Sequence, residues 1–97
     1  MTSSNQQQNE LSLFIQQTES YLDQVVEHGS DQQLFIASYL QGHFAVEAGQ
    51  SQVQGMTQVA QLSELMKTSL DNAFANNELV ADDQQQVISL WQLLLTT

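Results

Sequence analysis

Apolar residues return along this chain at every third or fourth position, and no stretch alternates strictly between apolar and polar. Recurrence at i, i+3, i+4 and i+7 marks a helix with one buried face, whereas a half-buried strand alternates at every second residue. The first stripe is Leu11, Phe14, Ile15, Thr18, Leu22, Val25 and Val26, which predicts a helix from about Glu10 to His28. Gly29 is its expected C′ residue, because glycine accepts the left-handed conformation on which many helices end. Ser30-Asp31-Gln32-Gln33 follows, and Ser at an N-cap with Gln three residues later is a capping box. Leu34 opens the next apolar run, so a second helix is expected to about Ala48, with Gly49 as its stop. Residues 50–55 read as a loop or a frayed turn. From Met56 the pattern resumes, with Val59, Ala60, Ser63, Met66, Leu70, Ala73 and Phe74 on one face, widened by Leu62 and Leu65. Asn76-Asn77 is expected to close this third helix, Asn being next to Gly in tolerance for that position. A fourth helix is expected from Ala81 to Leu95, with Val87, Ile88, Trp91, Leu94 and Leu95 inward. Asp82 and Asp83 fall in its first turn, where the helix dipole favours acids.

Short connections between four helices favour antiparallel neighbours. The expected fold is therefore all-α: a compact four-helix antiparallel bundle forming a single helical domain over residues 10–97. Residues 1–9 are a Gln/Ser/Asn tail with nothing to bury and are expected to be flexible and disordered. Ninety-seven residues are enough for one core without a disulfide or structural metal.

Charge narrows the function classes. Eleven acids stand against a single cation, Lys67, and the formal net charge is −10. A protein that grips nucleic acid needs several cations to displace counterions from phosphates. This chain would repel DNA, RNA and anionic membranes, so no nucleic-acid and no membrane partner is expected. A basic protein partner fits its charge, although a scattered acidic surface also serves solubility. There is no cysteine, which removes thiol catalysis, thiolate metal sites and disulfides and fits a reducing cytoplasm. The N-terminus has neither the basic region nor the apolar run of a secretory signal, and no run of about 18 apolar residues occurs. A cytoplasmic location is expected.

The candidate chemistry lies in the second helix. Tyr39, His43 and Glu47 are spaced i, i+4, i+8 and share one face. They form either a proton-handling column, with Glu47 orienting the imidazole, or a half-buried strip hydrogen-bonded to a neighbouring helix. One histidine with no nucleophile specified beside it does not predict an enzyme, and no catalytic, cofactor or metal residue is assigned. His43 and Glu47 offer two metal ligands at helical spacing, with His28 a third that nothing in the sequence brings close. Gly42 sits inside the helix, where glycine costs roughly 1 kcal/mol relative to Ala. Close approach of another backbone or a bulky ring is its expected reason, with a ligand in that space as the alternative. Glu78, Asp82 and Asp83 lack the alternating acids of a calcium loop, and Glu64, Lys67 and Asp71 read as a surface cluster. Phe35, Ile36, Leu40 and Phe44 surround much of the second helix, and Leu90 and Leu93 flank the inner stripe of the fourth. A helix apolar on most sides is central or covered by another chain, which makes these six a candidate interface.

Asp31-Gln32-Gln33-Leu34-Phe35 and Ala37-Ser38-Tyr39-Leu40-Gln41-Gly42-His43 resemble the central motif of the YfcL-like family of small bacterial proteins. Asn77-Glu78-Leu79, Asp83 and Val87 to Trp91 resemble the family's closing segment. The similarity spans about residues 20–95, and Tyr39-Leu40-Gln41-Gly42-His43 is its most specific part. The resemblance implies a short, cytoplasmic, all-helical protein of unestablished biochemical role, without assigned catalytic or cofactor residues. Two departures stand out: Gln41, where the family pattern often has a basic residue, and Val80-Ala81, where it has a Ser-Pro cap. The expectation is a non-enzymatic protein–protein interaction module whose candidate partners are a basic protein and, as a homodimer, a second copy of the chain. The alternative is a small-ligand or metal-binding protein with its site around Tyr39, His43 and Glu47.

Overall fold

A computed structural model describes residues 9–96. Four helices follow one another: α1 (Glu10–His28), α2 (Asp31–Val53), α3 (Val59–Ala75) and α4 (Ala81–Thr96). There is no strand among the described residues. The tail expected over residues 1–9 lies outside the described residues except for Asn9, whose Oδ1 accepts from the Ser12 amide at 2.8 Å and caps α1.

The capping box at the start of α2 is formed. Gln33 N–H donates to Ser30 Oγ at 3.2 Å, and Ser30 N–H donates to Gln33 Oε1 at 2.9 Å. Gly29 ends α1 for a different reason from the expected one. Its φ is −77°, not left-handed. A Cβ there would stand 2.7 Å from the Val25 carbonyl oxygen and 3.0 Å from Gln33 Cβ, so space between the two helices excludes a side chain.

The expected stop at Gly49 is corrected: α2 continues through it to Val53. The helix ends in a Schellman motif around Gly55, whose φ of +73° is the left-handed conformation. Gly55 N–H donates to the Gln52 carbonyl at 3.1 Å, and Met56 N–H to that of Ser51 at 3.0 Å. The buried Ser51 also returns its hydroxyl to the Ala48 carbonyl at 2.8 Å. α3 ends in the same way, on Asn77 at φ 61°. Asn77 N–H donates to the Phe74 carbonyl at 3.0 Å, and Glu78 N–H to that of Ala73 at 3.3 Å. At α4 no Ser-Pro cap is present, and the Val80 carbonyl accepts the Gln84 amide at 2.9 Å.

The core is one cluster drawn from all four helices, including Leu11, Ile15 and Leu22 of α1, and Leu62, Met66 and Leu70 of α3. The buried Phe44 and Trp91 meet the half-buried Phe14, with ring centroids 5.9–6.3 Å apart. Such edge and tilted contacts add about 0.5–1.5 kcal/mol per pair beyond area burial. α2 packs against the three other helices, and α4 packs chiefly on α2. That central position accounts for the apolar residues around α2: Ile36, Leu40 and Phe44 are buried within the chain. The two ends of the bundle are also fastened. Glu10 Oε2 accepts the Val59 amide at 3.1 Å, and Gln32 Nε2 donates to Asp83 Oδ1 at 3.0 Å. These contacts are compatible with an antiparallel order of successive helices.

Candidate functional site

Tyr39 and His43 stand one turn apart on α2, with ring centroids 4.9 Å apart. His43 Nδ1 lies 2.7 Å from Ser69 Oγ on α3. The Tyr39 hydroxyl donates to Glu78 Oε1 at 2.8 Å, and the same oxygen is 3.9 Å from His43 Nε2. Glu78 reaches this place because the left-handed turn at Asn77 folds the chain back over the end of α3. Burial first, then the hydrogen bond to Glu78 and its negative charge, pushes the Tyr39 phenol up to about 12. Tyr39 is thus a neutral donor at physiological pH.

Of the two readings of Tyr39, His43 and Glu47, the contacts of Tyr39 and His43 follow the half-buried strip bonded to neighbouring elements and not the proton-handling column. Helix side chains lean toward the N-terminus of their own helix, so the His43 ring lies over Tyr39. The carboxylate it meets is Glu78, and no ion pair joins it to Glu47 among the described residues. Gly42 is exposed, and a Cβ there would meet nothing within 4 Å, so close packing is not its reason. Ser69 and Glu78 lie 26 and 35 residues beyond His43, so no local spacing marks them as its partners. Ser69, His43 and Glu78 present hydroxyl, imidazole and carboxylate in the order of a nucleophilic relay. Such a relay also needs free donors for an oxyanion. Ser69 lies inside α3, where backbone N–H groups are engaged in the helix. What these contacts do is fasten α2, α3 and the α3–α4 connection to one another.

No group of three or more His, Asp or Glu side chains converges as a metal site among the described residues. His28 is exposed at the end of α1, 3.6 Å from Glu27. Lys67 pairs with Asp71 at 2.8 Å, and this hydrogen bond raises the affinity of the amine for its proton.

Of the six candidate interface residues, Ile36, Leu40 and Phe44 belong to the core, while Phe35 and Leu93 are exposed at 43% and 52%. Leu90 is half-buried and lines a groove of about 510 Å³ between the second half of α1, the start of α2 and α4. The half-buried Val25 and Leu90 give it apolar walls over the buried Ile36, Tyr21 adds an exposed ring, and Gln33, Asp82, Gln85, Gln86 and Ser89 form its polar margin. α4 packs chiefly on α2, and the groove runs along its side toward the second half of α1. Tyr21 stands off the inner stripe of α1, so periodicity alone gave no sign of it.

The chain is similar to the Escherichia coli (strain K12) protein named "Uncharacterized protein YfcL", with 29% identity over 73 residues, covering 75% of this chain and 79% of that one. No solved structure matches. The model of the family described as "YfcL protein" matches residues 12–96, which include all of α2, α3 and α4 and the whole Tyr39–Glu78 cluster. The chain therefore belongs to the YfcL protein family.

Proposed function

We propose that this chain is a non-enzymatic protein–protein interaction module that receives a basic protein partner in the groove between α1, α2 and α4. The groove carries the reading: it offers the exposed Tyr21 ring and the half-buried Val25 and Leu90 within a polar margin. The net charge of −10 sets the sign of the partner. Two copies of the chain would meet with like charge, so a basic partner is favoured over a homodimer. The absence of cysteine fits action in the cytoplasm. A ligand site at Tyr39 and His43 is less well supported, because the Tyr39 hydroxyl already donates to Glu78 and His43 Nδ1 already bonds to Ser69.

Affinity capture from a bacterial lysate, comparing the wild-type chain with Ser89→Arg, tests the proposal. Ser89 is exposed and lines the groove, so the substitution adds bulk and positive charge without touching the core. The expected result is a basic protein held by the wild type, lost on Ser89→Arg and weakened by raised salt. Equal recovery by both chains would reject the groove.

A further inference from the structure

We infer that the occupant of this groove is a short amphipathic helix, its apolar face on Tyr21, Val25 and Leu90 and its cationic end at Asp82. This rests on the interaction-module reading and goes further, because it fixes the form of the bound segment and the end of the groove at which its cations lie.

The walls decide the form. Three helices make the groove, and the backbone groups along their lengths are bonded within those helices. No strand edge exists among the described residues for an extended peptide to pair with. An extended segment would lay its own peptide groups unpaired against Tyr21, Val25 and Leu90, and an unpaired buried polar group is costly. A helix brings its backbone already satisfied and offers side chains at i, i+3, i+4 and i+7 to an apolar cleft. From Asp82 to Leu90 the groove follows α4 for about 12 Å, at about 1.5 Å per residue. That length suits two to three turns of a partner helix.

Charge decides the end at which the cations lie. Asp82 lines the groove at the start of α4. Gln32 bonds to Asp83 there, which brings the start of α2 and its Asp31 to the same end. Leu90, at the other end, is flanked by uncharged residues in Ser89, Trp91 and Gln92. A partner helix with Lys or Arg in one terminal turn therefore places that turn at Asp82.

A displayed library of random peptides of about 16 residues, a little over four helical turns, provides the test. It is selected on the full chain and counter-selected on Ser89→Arg. The expected winners carry apolar residues at helical spacing with Lys or Arg at one end. They bind about twofold to fivefold more weakly to Asp82→Asn, the range of one exposed ion pair. Winners with alternating, proline-rich or acidic patterns would overturn the helical, cationic occupant while leaving a groove-binding partner in place. No enrichment of the wild type over Ser89→Arg would overturn the groove as a docking site, and the interaction-module reading with it.

Discussion

Ser69 Oγ stands 2.7 Å from His43 Nδ1 across 26 residues of sequence. The bond ties the middle of α3 to α2, one turn from the Tyr39 hydroxyl that holds Glu78. Ser69→Ala and His43→Ala should each destabilise the fold by about 1 kcal/mol, the net worth of a typical hydrogen bond. The His43 side chain is 23% exposed, so water can partly replace a lost partner. A double-mutant cycle followed by urea unfolding should show coupling of about 0.5–1.5 kcal/mol. Strict additivity would mean that the bond contributes nothing.

Tyr39 gives the fold an alkaline limit. Its phenol is raised to about 12 in the folded chain, from 10.0 for the free group. A raised folded-state value contributes stability that is complete below about pH 10 and lost as pH rises toward 12, because the unfolded chain releases its proton first. Stability measured across that window should fall more steeply for the wild type than for Tyr39→Phe. Phenolate absorbance should show one tyrosine titrating late, and Tyr39→Phe should remove that phase.

The glycines separate into opposite cases. Gly42 is exposed within α2, and a Cβ meets nothing there. Gly42→Ala should stabilise the chain by about 0.5–1 kcal/mol. Gly55→Ala should destabilise it by about 1–2 kcal/mol, because φ is +73°. Thermal unfolding of the two variants checks both signs.

Gln41 Nε2 donates to Asp23 Oδ1 at 2.7 Å on the exposed side of the α1–α2 contact. Gln41→Lys should place a cation against that carboxylate and add about 0.2–1 kcal/mol, the range for an exposed pair. The gain should shrink as salt is raised. Unfolding at low and high ionic strength, with Asp23→Asn as the control, measures it.

Much of the fold was legible because its signals are local. The stripe from Leu11 to Val26 matched α1, the Ser30–Gln33 box marked the start of α2, and Asn77 took the left-handed turn expected of it. Gly49 misled because glycine permits a helix end without requiring one, and the stop came six residues later where the chain turns left-handed at Gly55. The candidate site was legible only in half. Tyr39 and His43 share the expected face, but their partners come from α3 and the α3–α4 connection, where only tertiary packing places them. Apolar residues around α2 were seen, yet periodicity could not tell a central helix from one covered by another chain. The burial of Leu40 and Phe44 resolves that in favour of the chain's own core.

The most direct measurement is photo-crosslinking in cells from a reactive side chain placed at Ser89, in the groove, or at Glu64, exposed on α3 outside it. The proposal predicts an adduct with a basic protein from Ser89 and none from Glu64. No adduct from Ser89, the same adducts from both positions, or an adduct only with a second copy of this chain would contradict it.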